Sequence, residues 1–167
     1  MTAILNQSDN YHQAEQAHYA PLTINSLLNR SKVVSLNQTI HYADKFSYQY
    51  RDFFQRVNRL ANVLKELQLA QGDVVAVMDW DSHRYLECYF AIPMCGYIMQ
   101  TVNVRMSEDK MLYTINHAKA KVLLLNSEFA PMIKNHQFDA PSVEQVIWLD
   151  DHGASMPDYA VGEYETL

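Results

Sequence analysis

A chain of 167 residues fits one ordinary domain, in which roughly 70% of the unfolded surface can be buried. Its 49% hydrophobic and 19% charged residues exclude disordered and low-complexity architectures. A formal net charge of −6, with lysines and arginines scattered, leaves no basic stripe for a phosphate backbone, so no nucleic acid is expected as a partner.

Residues 1–20 carry no sustained periodicity and are expected to form a flexible N-terminal arm. They are polar and mildly acidic, without the basic start and apolar run of a secretory signal, which makes a cytoplasmic location the default expectation. After Pro21, Thr23 is placed to cap a short amphipathic helix carrying Ile24, Leu27 and Leu28. Thr39 to Tyr42 and Phe46 to Tyr48 flank Asp44 and Lys45, which predicts two short strands meeting at a turn. From about Tyr48 to Leu67, Phe53, Val57, Leu60, Leu64 and Leu67 recur at separations of four and three, the spacing of a buried helix face. Arg51, Asp52, Gln55, Arg56 and Arg59 are assigned to its outer face, and Ser47 to its N-cap.

Gly72 and Asp73 turn the chain into Val74 to Met78, an unbroken apolar run that predicts a strand covered on both faces. A helix is expected from about Ser82 to Cys95 and Gly96, then a strand over Tyr97 to Val102. The whole stretch from Tyr85 to Val102 is apolar, but Glu87, Pro93 and Gly96 fit a helix, a turn and a buried strand, so no transmembrane segment is expected. Ser107, Glu108 and Asp109 mark another helix start, with Met111, Leu112, Ile115 and Ala118 as its buried face. Lys121 to Leu125 reads as a strand, Phe129 to His136 as a short helix and Val143 to Leu149 as a final strand, leaving 152–167 as an irregular tail. The alternation predicts an α/β fold, a mostly parallel sheet with helices on both faces.

Little of this carries chemistry. The four glycines stand too far apart to cradle a phosphate, and no serine sits in a Gly-x-Ser-x-Gly elbow. The seven histidines, at 12, 18, 41, 83, 117, 136 and 152, never pair at metal-ligand spacing. Cys88 and Cys95 read as small buried hydrophobes. Eleven tyrosines, Tyr85, Tyr89 and Tyr113 among them, read as core and interface packing. Asp79, Asp81 and His83 form one weak polar cluster at the carboxyl end of a strand, where open α/β sheets place ligands. A plainer role competes with that one, in which Asp81 or Ser82 caps the next helix and His83 lies in its first turn.

The stretch GDVVAVMDWDSHRYLECYFAIPMCGYIMQTVNVRMSEDKMLYTINHAKAKVLLL, Gly72 to Leu125, resembles the N-terminal region of AMP-forming acyl-CoA synthetases, in the adenylate-forming enzyme superfamily. Phe46 to Asp73 upstream and VIWLDD from Val146 downstream extend the resemblance over about residues 21–151, read as one α/β subdomain. The run HRYLECYFAIPMCGYIMQTVN is most similar to the branch that activates medium- and long-chain fatty acids. The resemblance implies an incomplete portion of a large N-terminal domain, from a parent that uses ATP, Mg2+ and CoA to make an acyl adenylate and then a thioester.

The family's phosphate loop, its acidic Tyr-Gly-x-Thr-Glu-like segment, its ribose-binding Asp and its mobile-domain Lys have no counterpart in this sequence. No catalytic, cofactor-binding or metal residue therefore carries over. What carries over is a structural signature, Gly72, Asp73 and Asn103, while Asp79 and Asp81 stand where the family often has Asn. The implied partner is the missing downstream part of the ligase, and the arm before Pro21 is a candidate for homodimerisation, as N-terminal regions are in some relatives. Two alternatives remain open: an independently folding module that binds protein or acyl ligands, and, with little support, a small hydrolase using Ser82, His83 and an Asp.

Overall fold

The computed structural model describes residues 21, 23–133 and 139–167. The expected arm 1–20, with His12 and His18, and also His136, lie outside them. The chain runs α1 (Ile24–Val34), β1 (Thr39–Tyr42), β2 (Phe46–Gln49), α2 (Tyr50–Glu66), β3 (Val74–Met78), α3 (His83–Met94), β4 (Ile98–Thr101), α4 (Glu108–Ala118), β5 (Val122–Asn126), a 3₁₀ segment (Ser127–Met132), β6 (Gln145–Leu149) and β7 (Ala160–Glu163). β1 and β2 form an antiparallel hairpin, Thr39 opposite Gln49. The other five strands make a parallel sheet in the order β4-β3-β5-β6-β7.

Side-chain alternation along the inner strands sorts the core into two layers. Val75, Val77, Val122, Leu124, Ile147 and Leu149 face α1, α2 and α3. Ala76, Met78, Leu123, Leu125, Val146 and Trp148 face α4 and the 3₁₀ segment. Helices on both faces thus cover runs that are apolar at every position, because neither face of an inner strand meets water. Phe53, Val57, Leu60 and Leu64 of α2 are all buried, as their spacing requires.

The turns that launch β3 and β4 are tied together. Gly72 has φ +85° and Gly96 φ +83°, both left-handed, and the Gly72 amide donates to the Gly96 carbonyl at 2.9 Å. Beside them the Asp73 carboxylate accepts from the Ala70 amide at 2.7 Å and pairs with Lys121 at 3.1 Å. Asn103 closes a local turn after β4, its side-chain oxygen accepting from the Arg105 amide.

Several expectations need correction. Ser47 lies in β2, and the cap of α2 is Gln49, whose amide donates to the Asp52 carboxylate at 3.2 Å. The strand after Gly96 is an edge strand among the described residues, where it pairs with β3 alone, and its Ile98 is 54% exposed. The tail expected to be irregular carries β7. Of the three tyrosines, Tyr85 is buried but Tyr89 and Tyr113 are exposed.

Candidate functional site

With β3 as its first strand, the parallel sheet has the order 2-1-3-4-5, and the direction in which successive strands are added reverses between β3 and β5, where doubly wound sheets open a crevice at the strands' carboxyl ends. In this protein polar side chains fill that position. Asp79, just past β3, accepts from Asn126 Nδ2 at the end of β5 at 2.6 Å and from the Trp80 amide at 2.9 Å. Its other oxygen accepts from the Ser82 hydroxyl. Burial raises the Asp79 pKa, outweighing these bonds and nearby Arg84.

The predicted cluster does not assemble. Asp79 faces Ser82 and Asn126, Asp81 is exposed, and His83 turns to Glu165. Ser82 is the N-cap of α3, accepting from the Tyr85 amide at 3.2 Å, so the capping role holds at this junction. With the Ser82 hydroxyl committed to Asp79 and the His83 Nε2 to Glu165, the two form no nucleophile and base. Burial also raises the Cys88 thiol well above its usual range, which removes it as a nucleophile at neutral pH.

A second, larger constellation was not legible in the sequence. Glu87, fully buried on α3, accepts from Tyr48 Oη of β2 at 3.0 Å, Arg56 Nε of α2 at 2.7 Å and Tyr164 Oη after β7 at 2.6 Å. Arg56, placed on the outer face of its helix by spacing, is only 16% exposed at its side chain and also pairs with Glu165 at 2.8 Å. Glu165 meets His83 Nε2 at 2.9 Å, and since a carboxylate only accepts, that nitrogen carries the proton. Burial alone would raise the Glu165 pKa, but the bonds from His83 and Arg56 and the Arg56 charge hold it down at about 2.

Arg84, 1% exposed, donates to Asp151 at 2.7 Å and to the Asp150 carbonyl at 3.3 Å, with Asp79 at 3.9 Å. Tyr42 donates to the same Asp151 at 3.0 Å, and burial together with that carboxylate pushes the phenol up to about 12. The hairpin, α2, α3 and the last strand are thereby joined through one network of charges. Two clefts flank it, about 640 Å³ beside Lys45, Arg84 and Asp151 and about 260 Å³ beside Tyr42, His83 and Tyr89.

Among the described residues no group of three or more His, Cys, Asp or Glu side chains is arranged to hold a metal ion. None of their helices is long and apolar enough to cross a membrane. Both arginines of the network are already taken up by carboxylates, Arg56 by Glu87 and Glu165 and Arg84 by Asp151, and among the described residues no run of free backbone amides is framed by glycines, so these residues do not fit a nucleotide triphosphate with its cation. They sit on a scaffold of the doubly wound α/β class.

Residues 29–165 match the AMP-binding enzyme family, and the chain belongs to it. It is 32% identical over 126 residues to a long-chain-fatty-acid–CoA ligase of Thermus thermophilus, which covers 75% of this chain and 23% of the ligase. It is 34% identical over 92 residues to a medium-chain-fatty-acid–CoA ligase of Ectopseudomonas oleovorans, covering 55% of this chain and 17% of that enzyme. The chain thus spans about a quarter or less of these relatives. Among solved structures, a mutant form of coronafacic acid ligase from Pectobacterium brasiliense superposes with a TM-score of 0.75 at 12% identity, over 86% of this chain and 28% of that one. An anthranilate CoA ligase in complex with anthranoyl-AMP gives 0.71 at 24% identity, over 77% of this chain and 25% of that one. These likenesses establish the fold, and the expected α/β architecture, a mostly parallel sheet with helices on both faces, is what the chain forms.

Proposed function

We propose that this chain is the opening section of an AMP-forming fatty acid–CoA ligase, that it has no ligase activity alone, and that the rest of the enzyme supplies the groups that handle ATP, Mg2+ and CoA. The observation carrying this reading is the shortfall in length, since the chain matches only 23% of the Thermus ligase while both arginines of its own polar network are taken up by its carboxylates. The unpaired outer edges of β4 and β7 among the described residues, with Ile98 and Val161 exposed, fit a sheet that belongs to a larger body. Gly72, Asp73 and Asn103 serve this section by setting the turns at β3 and β4. The implied partner is the downstream polypeptide, the location cytoplasmic, and the arm before Pro21 a dimerisation element.

Exchange of pyrophosphate into ATP in the presence of a fatty acid tests the reading. The expected result is silence from the chain alone and exchange once the downstream polypeptide is added. Exchange catalysed by the chain alone would overturn it. The alternative, an independent binding module, is favoured by one feature, a two-layer core complete around the inner strands. Cooperative unfolding of the isolated chain together with failure to complement would select it.

A further inference from the structure

Among the described residues β4 is the last strand on its side of the parallel sheet, in one unbroken register with β3 from Val74 opposite Ile98 to Val77 opposite Thr101. The Ile98 amide donates to the Asp73 carbonyl at 2.9 Å and the Val102 amide to the Val77 carbonyl at 3.0 Å. In a parallel ladder alternate residues turn their backbone groups to the same neighbour. Ile98, Gln100 and Val102 therefore face β3, and Met99 and Thr101 turn their amides and carbonyls outward, where no described residue meets them.

Outer strands are ordinarily blunted by charge, proline or a bulge, because a row of bare amides recruits other strands. Tyr97 to Val102 carries no charge, no proline and no register shift. Its Tyr, Ile, Thr and Val are strong strand formers. Both flanks of the edge are apolar as well. Ile98, opposite Val74 on the α4 side, is exposed. On the α3 side Tyr85 hydrogen-bonds Thr101, and its ring lies 5.4 Å from that of exposed Tyr89.

We propose that the outer edge of β4 receives one further strand, contributed by the downstream polypeptide of the ligase and hydrogen-bonded to Met99 and Thr101. Its side chains are apolar on both faces, covering Ile98 on one and Tyr89 on the other. The proposal rests on the reading of this chain as one section of that enzyme. A second copy fits the edge less well: Ile98 to Val102 spans on the order of 15 Å, and pairing along so short a line buries far less than the roughly 1,200 Å² of a stable interface.

Two measurements on the intact protein that carries this chain test the edge. Hydrogen exchange resolved to single amides compares Met99 and Thr101 with Gln100, which bonds to β3 in either case. The expected result is exchange within about tenfold of Gln100, since a paired strand opens with its sheet. Met99 and Thr101 amides more than about tenfold faster overturn the proposal, and the comparison needs no variant to fold. Ile98→benzoylphenylalanine, a substitution at an exposed position, then identifies the occupant by photo-crosslinking and mass spectrometry. A crosslink to a downstream segment of the same chain is expected. A crosslink to residues 1–20 or to a second copy, or none at all, overturns the assignment. Pyrophosphate exchange on the same sample scores the ligase reading separately, so an active ligase with fast Met99 and Thr101 amides loses the strand and keeps the function.

Discussion

Arg56 Nε donates to Glu87 Oε1 at 2.7 Å, joining α2 to α3 through a carboxylate with no solvent exposure. A charge so placed is tolerated because Tyr48, Arg56 and Tyr164 together supply its hydrogen bonds. Arg56→Ala leaves that charge without its cation, with an expected loss of about 3 to 5 kcal/mol in chemical denaturation. Arg56→Lys restores less than half of it, because a point charge cannot serve Glu87 and Glu165 as a planar fork does. Equal stability of the Ala and wild-type chains would show the pair to be energetically idle.

On the neighbouring turn of α2, Leu60 is 5% exposed and packs in the same core layer as Val57 and Leu64. Leu60→Ala is expected to cost about 2 to 5 kcal/mol, the transfer free energy of the lost atoms plus the cavity they leave. The small void beside Leu60 favours the upper half of that range, since it adds to the space created. A melting midpoint unchanged from wild type would contradict the burial.

Glu165 gives the fold an acid dependence with a definite sign. Its pKa falls from an ordinary 4.5 to about 2 on folding, as the bonds from His83 and Arg56 overcome the opposing effect of burial. A carboxylate depressed in the folded state stabilises it above its unfolded pKa and ceases to do so as pH falls through the folded value. Protection of amides 161–166 should therefore decline between about pH 4.5 and 2. Glu165→Gln should flatten that decline, and an equally steep decline in the variant would assign it to other groups.

The fold was far more legible than the network. β3, β5 and β6 announced themselves because strands covered on both faces need apolar residues at every position, and α2 because five apolar residues held one face. β7 did not: Ala-Val-Gly-Glu on an edge has no period, and its pairing with β6 changes register between Val146 and Ile147. Arg56 looked like a solvated helix position since nothing local reveals a carboxylate 31 residues away in Glu87 or 109 away in Glu165. One hint was present, Glu87 between Leu86 and Cys88 in the apolar part of α3, where an unpaired charge would be too costly to bury.

Asp79 offers the last test, because its burial and its bonds pull in opposite directions. It is 3% exposed, and burial, the largest influence, raises its pKa against the help of Ser82, Arg84, Asn126 and Trp80. Asp79→Asn removes the buried charge while one amide oxygen can still accept from the Trp80 amide and Asn126. Arg84 then keeps Asp151 at 2.7 Å as its anion, so no cation is left alone. The stability at pH 7 should change by less than about 1 kcal/mol, whereas Asp79→Ala, which leaves Asn126 and Ser82 without their acceptor, should lose about 2 kcal/mol or more. An Asn variant as damaged as the Ala variant would mean that the charge itself, acting on Arg84, outweighs the cost of burying it.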